Sequence, residues 1–277
     1  MADSINGIPK RMGHIWIGPK PAPTHWMSSW QELHPDWEYT LYGNDILETF
    51  NFRAKHLIDY YIKVGEYAGA ADLIRYEVLH AFGGYIAGAD SICLHPIDEL
   101  FQGPHAHTIY ENEFVRGKLV SPIQACEPGN PFLDTLIDRL SKLSIDQLKS
   151  AWATTGNLFL ARAIRELSPP ITIWPSHTMI PVHFTGVTYE GNEKVYAIQL
   201  FGTTHGSYGK DQKTPSKGVP ILEKIRMQLN RQKFRKQRRK LEKVDYFERA
   251  QRWIADARPS TTQAADDLPD PRSPKQT

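Results

Sequence analysis

The chain has 277 residues, 40% of them hydrophobic and 7 of them Trp, which is enough for one good-sized globular domain or a domain with an appendage. A formal net charge of +2 makes no overall demand for nucleic acid or a membrane surface, although basic residues crowd toward the C-terminus. Two cysteines, Cys93 and Cys126, exclude a disulfide scaffold at this length; without metal-ligand spacing, two buried free thiols in a reducing, cytoplasmic compartment are expected.

The opening "MADSINGIPKRM" has no apolar signal region, and no run of about 18 apolar residues follows anywhere. The expectation is a protein neither secreted by a classical signal nor membrane-spanning. "HIWIG", from His14 to Gly18, is a short apolar run closed by "PKPAP" and reads as a buried first strand. Ser28 is placed to cap a short helix, His34-Pro35-Asp36 marks a turn, and "WEYTLY" reads as a second strand. In "AGAADLIRYEVLHAFGG", Leu73, Tyr76, Leu79 and Phe82 recur at helical intervals, and Gly83-Gly84 stops the helix. "YIA" follows as a strand. "HTIYENE", "GKLVSPIQA", "ITIWPS" and "KVYAIQLFG" read as later strands, and "NPFLDTLIDRLSKL" as a helix beginning after Asn130-Pro131. Alternation of strands and helices predicts an α/β sheet.

Residues 216–257 are expected to form a basic helical extension, with ten Lys and Arg between Lys224 and Lys243. Three readings stay open for it: a solvated or partner-docking face, a contact with anionic membrane surface, or, least favoured, a nucleic-acid site. Residues 258–277 are Pro-, Asp- and Ser-rich and are expected to be disordered.

Three separated blocks carry the candidate chemistry: "IPKRMGHIWIG", "AADLIRYEVLHAFGGYIAGAD" and "YAIQLFGTTHGSY". Each has polar or aromatic residues at or near a predicted strand end, where ligands collect in open α/β sheets. Together with "HPDWEY", these blocks resemble the DXD-containing glycosyltransferases of family 32 type, themselves similar to the glucosyltransferase domains of large clostridial toxins. The resemblance covers roughly Ile8 to Tyr208. It implies a GT-A-like fold over residues 1–215, a nucleotide-sugar donor, a glycan, lipid or protein acceptor, and Mn²⁺ or Mg²⁺. It also implies transfer with retention of anomeric configuration.

By this resemblance Asp72, Arg75 and Asp90 are the catalytic candidates. Asp72 and Arg75, at i and i+3, share a helix face and could grip neighbouring donor hydroxyls; alone, such a pair reads more readily as a surface ion pair, and the adjoining Gly-Gly and Asp90 block turns the reading to the donor. Asp90 matches the second carboxylate of the DXD motif, a direct metal ligand that bridges to the diphosphate. Gly88 stands where the first carboxylate is expected. Either Asp90 and the phosphates suffice, or the enzyme is weakened, or the chain is an inactive or altered member. Trp16 is placed to stack on the nucleobase, or else is core. Ser207 and Tyr208 match the closing loop that touches the donor. His205 is a candidate second metal ligand, in place of the histidine the family often carries where this chain has Gln199. Thr155, Gly156 and Asn157 resemble a loop on the acceptor side. A cytoplasmic protein, with peripheral membrane contact through Lys224–Lys243 as one reading, is the resulting expectation.

Overall fold

The computed structural model describes residues 3–103, 105–113, 117–201, 249, 250 and 253–255. His205, Ser207, Tyr208, nearly all of the basic extension and the whole C-terminal tail lie outside the described residues. The chain divides into two compact units. One comprises Met1–Ala22, His34–Ala89 and Pro96–Ser176; the other comprises Pro23–Leu33, Asp90–His95 and the described residues from His177 onward.

The first unit opens with a hairpin of β1 (Ser4–Ile5) and β2 (Ile8–Pro9), turned by Asn6-Gly7 at φ of 50° and 83°. Its main sheet has six strands: β3 (Arg11–Ile15), β4 (Glu38–Tyr42), β5 (Gly84–Ile86), β7 (Ala106–Ile109), β8 (Ala125–Cys126) and β9 (Ile171–Trp174). Their order is β4-β3-β5-β8-β7-β9. β3 pairs in parallel with β4 and β5, β7 pairs in parallel with β9, and β8 runs antiparallel to both its neighbours. The sheet is therefore mixed, with one reversed strand inside it, and the α/β architecture expected from the sequence is present. Five strands point the same way, so their C-terminal ends share one edge.

The predicted helix over Leu73–Phe82 runs from Tyr67 to Phe82 and is buried on most of its circumference, including Leu73, Ile74, Tyr76 and Leu79. Its end is forced. Gly83 and Gly84 have φ of 65° and 92°, and a Cβ on Gly84 would sit 2.3 Å from the Arg11 carbonyl oxygen of β3. The helix thus turns directly into β5, packed against β3. Buried Glu77 accepts the backbone N–H groups of Arg53 and Ala54 at 2.7 and 2.9 Å, so it satisfies donors at the start of the Lys55–Val64 helix. That helix has no counterpart in the sequence reading. Asn130 caps the Pro131–Ser141 helix, accepting from the Phe132 and Leu133 N–H groups at 3.0 and 3.1 Å, so the helix expected after Asn130-Pro131 begins at Pro131 itself.

The second unit contains a helix over Thr24–Leu33 and the antiparallel pair β6 (Ser91–Cys93) and β10 (Ala197–Gln199). Ser28 does not cap that helix but lies within it. The start is four residues earlier, where the Pro23 carbonyl accepts from Trp26 and Met27 N–H. Trp26, Ile92, Leu94, Val195 and Ile198 form the core of this unit. Residues 249 and 253–254 belong to it: Arg249 donates to the Gly186 carbonyl and the Thr188 hydroxyl at 3.0 and 2.8 Å, and Trp253 lies beside Tyr189.

Two predicted strands differ from expectation in extent or position. "GKLVSPIQA" supplies only a bridge at Val120, and pairing then resumes at Ala125–Cys126, because Pro122 cannot donate to a ladder. "HIWIG" begins pairing earlier, at Arg11, and ends at Ile15, so Trp16 is a strand-end residue. Both cysteines are buried and unbridged, as expected. Among the described residues no helix is long and apolar enough to cross a membrane.

Candidate functional site

In the first unit, polar groups gather on the C-terminal edge of the main sheet. Trp16 follows β3 directly. Its backbone N–H bonds the Tyr42 carbonyl at 3.0 Å, and its indole donates to the Lys20 carbonyl at 2.7 Å. The residue is half-buried, with its indole tied to the backbone by that hydrogen bond. Beside it, Gly18 and Asn44 exchange hydrogen bonds of 2.9 and 3.0 Å. A Cβ on Gly18 would meet the Tyr67 ring at 2.9 Å, so the backbone approaches that aromatic closely.

Arg75 reaches the end of β5. Its guanidinium donates to the Ile86 carbonyl and, at 3.4 Å, to the Ala87 carbonyl. It therefore tethers the helix to the strand end that leads into Gly88. Below it lies His14, fully buried, with Nδ1 3.0 Å from the Tyr39 hydroxyl. Burial, helped by the Arg75 charge, pushes His14 down to about 3, so the ring is neutral and adds no second positive charge beside the guanidinium.

Asp72, one turn earlier on the same helix, points to a different element. The Thr155 hydroxyl lies 3.0 Å from Asp72 Oδ2 and also 3.0 Å from the Ala151 carbonyl. One proton serves one acceptor at a time, and the ionised carboxylate is the stronger of the two. The Thr155 carbonyl in turn accepts from the Tyr76 hydroxyl at 2.8 Å. A Cβ on Gly156 would sit 3.1 Å from Asp72 Oδ2, so any larger residue there would press on the carboxylate. Burial pushes Asp72 up to about 7, against the opposing pull of the Thr155 hydrogen bond and the Arg75 charge, although part of the side chain still meets solvent. Asp72 and Arg75 are thus engaged with separate partners. The expected acceptor-side residues Thr155 and Gly156 lie against the expected donor-side Asp72.

One functional candidate escapes the sequence reading, and another enters it only as a departure from the expected histidine. Glu111, just past β7, is buried with 8% of its surface exposed and accepts from the Asn157 amide at 2.9 Å. Its only signal in the sequence is a carboxylate at the close of the "HTIYENE" strand. The other is Gln199 in the second unit. β6 and β10 pair Ser91 with Gln199, and the Gln199 amide donates to Asp90 Oδ1. The strand position where the resemblance expects histidine is thus the one beside Asp90.

Asp90 is half-buried, its carbonyl accepting from Leu200 N–H. Among the described residues no group of three His, Cys, Asp or Glu side chains converges on a point. One carboxylate flanked by an amide suits a hard cation that completes its shell with water and phosphate oxygens. Gly88 is half-buried, two residues from Asp90.

The residues of the first unit define a class: an α/β protein with a carboxylate, a guanidinium and an aromatic ring on the C-terminal edge of a mixed sheet. Among particular proteins, the chain is 26% identical over 162 residues to inositol phosphoceramide mannosyltransferase 2 of Schizosaccharomyces pombe. The match covers 54% of this chain and 44% of that protein, so the chain spans less than half of that relative's length. Similar solved structures include two glycosyltransferases. The PaToxG glycosyltransferase matches with a TM-score of 0.46 and 17% identity, over 58% of this chain and 70% of that one. The UDP-bound glycosyltransferase domain of the YGT toxin matches with a TM-score of 0.47 and 10% identity, over 61% and 80% respectively. No known family profile matches the chain.

Proposed function

We propose that the chain is a glycosyltransferase moving a hexose from a nucleoside-diphosphate sugar to a hydroxyl of a glycan, lipid or protein, with retention at the anomeric carbon. Residues 1–215 would form the catalytic domain. The observation that carries this reading is the meeting of Asp72 with the Thr155–Asn157 loop on the C-terminal sheet edge. A carboxylate held there by a hydroxyl and crowded by a glycine is suited to accepting hydrogen bonds from sugar hydroxyls. Similarity to a mannosyltransferase over 162 residues supports it.

In this reading Trp16 offers its indole face to the base. Arg75 holds the β5 end so that Gly88 and the following turn stay in place. Asp90, steadied by Gln199, would ligate Mn²⁺ or Mg²⁺, which when bound would neutralise charge on the diphosphate. During transfer the bond from the anomeric carbon to the diphosphate oxygen breaks, and a bond to the acceptor oxygen forms. The acceptor proton passes to the departing diphosphate, so no protein base is required.

The test is a panel of nucleotide sugars, screened with and without Mn²⁺ by thermal shift and then for turnover. One donor is expected to stabilise the protein more with metal than without. Asp72→Ala and Asp90→Ala should each lower its turnover by roughly tenfold or more, the scale of a lost charged hydrogen bond. A protein that no donor stabilises and that turns none over would sink the reading, as would undiminished turnover in both variants. Gly88 favours a second reading, a weak or inactive sugar-nucleotide-binding relative. Gly88→Asp separates the two: activity appearing only in that variant supports the second, and strong parent turnover rules it out.

A further inference from the structure

Glu111 lies at the C-terminal end of β7, on the sheet edge where Trp16 and Gly18 follow β3. Its place is rigid: the Glu111 N–H bonds the Leu119 carbonyl at 3.0 Å, and the preceding Tyr110 N–H bonds the Trp174 carbonyl, also at 3.0 Å. The side chain is nearly removed from solvent. A carboxylate so placed needs donors, and Asn157 Nδ2 supplies one at 2.9 Å. An ionised carboxylate only accepts hydrogen bonds. In this bond the Asn157 amide turns its NH₂ side to Glu111, so its carbonyl Oδ1 lies on the other side of the amide.

Two residues earlier, Thr155 is bonded to Asp72. The 155–157 loop is thus pinned by two carboxylates, one from the Tyr67–Phe82 helix and one from the end of β7. Between them stands Gly156, whose missing side chain leaves room for Asp72. Only the Asp72 anchor corresponds to a residue singled out in the sequence.

We propose that Glu111 is a positioning residue that locks the Asn157 amide, so that Asn157 Oδ1 and Asp72 together form an acceptor array for the hydroxyls of a neutral sugar. The assignment rests on the transferase reading above. Glu111 acts through Asn157 and has no role in moving protons. The array selects ligands by hydroxyl placement, whereas the nucleoside diphosphate is held elsewhere.

The experiment uses the full chain and the nucleotide sugar chosen by turnover from the glucose and mannose conjugates of UDP and GDP. Glu111→Gln keeps the shape of the side chain but lets either end of its amide face Asn157, so the lock is lost. The KM for the sugar nucleotide is expected to rise about tenfold, on the scale of one hydrogen bond to a charged group, with kcat within about twofold. Affinity for UDP or GDP alone, which lacks the sugar, should stay unchanged; general structural damage would lower it too. Asn157→Asp, which sets two carboxylates against each other, should show the same sugar-dependent loss. In Glu111→Gln combined with Asn157→Asp the hydrogen bond is re-formed with reversed polarity and an oxygen still faces outward, so KM should return toward the parent value. If Glu111→Gln does not fold, Asn157→Ala takes its place, with the same rise in KM expected. A parent KM in the single variants, or a double variant no better than either, overturns the inference. A parent protein that neither binds nor turns over any of the four sugar nucleotides brings down the transferase reading itself, and the inference with it; that arm is read before any variant is compared.

Discussion

Asp72 shows how a functional side chain opposes stability. Its carboxyl is raised by burial to about 7, against an ordinary value of 3.8, so the folded protein holds a proton there that the unfolded chain has already released. Between those values folding takes up a proton, and rising pH erodes stability until Asp72 is ionised in both states. Above neutrality the folded state carries a poorly solvated charge. Asp72→Asn removes that cost while keeping an oxygen for Thr155 to donate to. Urea unfolding at pH 8 should find the variant more stable than the parent, and the advantage should vanish below about pH 4, where both are neutral. In the transferase reading the same substitution weakens turnover, so gain in one assay and loss in the other would mark a residue kept for chemistry. A variant less stable at pH 8 would mean that the Thr155 bond outweighs the burial of charge.

At the scale of elements, the junction from the Tyr67–Phe82 helix to β5 is the least replaceable feature. Gly84 combines a left-handed φ of 92° with a Cβ position 2.3 Å from the Arg11 carbonyl oxygen. Gly84→Ala meets both obstacles, and a loss on the order of 2–4 kcal/mol is expected, read as a lower urea midpoint with an unchanged slope. A loss under about 0.5 kcal/mol would mean that β3 and β5 part easily there. This junction was legible in the sequence because two adjacent glycines after a helical run have few other uses. So was the helix beginning near Asn130-Pro131, whose start signal is local. The Lys55–Val64 helix was missed because part of its start is supplied by Glu77, more than twenty residues away, and no local residue announces it. The true end of β3 was missed for a related reason: the apolar residues of "HIWIG" continue past Ile15, and only pairing with β4 and β5 decides where the strand stops. In the candidate site, Asp72 and Arg75 were legible as a motif on one helix face, but their separate partners were not. Thr155 and the Ile86 carbonyl become neighbours only through the fold, as do Glu111 with Asn157 and Gln199 with Asp90.

Across the whole molecule, two histidines tie stability to pH. His14 and His107 are buried, and burial lowers them to about 3 and about 4, from 6.5 in the open chain. His107 packs between aromatic neighbours, with Phe101 edge-on at 5.5 Å and Trp174 at 5.2 Å. From pH 6.5 down toward 4 the unfolded chain takes up protons that the folded chain refuses, so stability falls as the solution is acidified. The two rings contribute a slope of about two protons in the middle of that window. His107→Phe, which keeps a flat ring among the aromatics, should reduce the slope by about one proton in urea titrations between pH 4.5 and 6. An unchanged slope would show that His107 gains its proton without unfolding. Asp72 pulls the other way between about pH 4 and 7, offsetting about one proton of that slope, and the two trends leave these groups most favourable to folding slightly below neutrality.

The reversed strand β8 has a mechanical consequence. It contributes only Ala125 and Cys126 to the pairing between β5 and β7, with Gln124 adding one backbone bond to either side. The longer parallel ladders, β4-β3 and β7-β9, lie on opposite flanks of this narrow seam. Trp16 and Arg75 ride on one flank, and Glu111 rides on the other. Any breathing of the protein that widens the seam shifts one bank of the site against its opposite, so the reach between them is governed by the weakest stitch in the sheet.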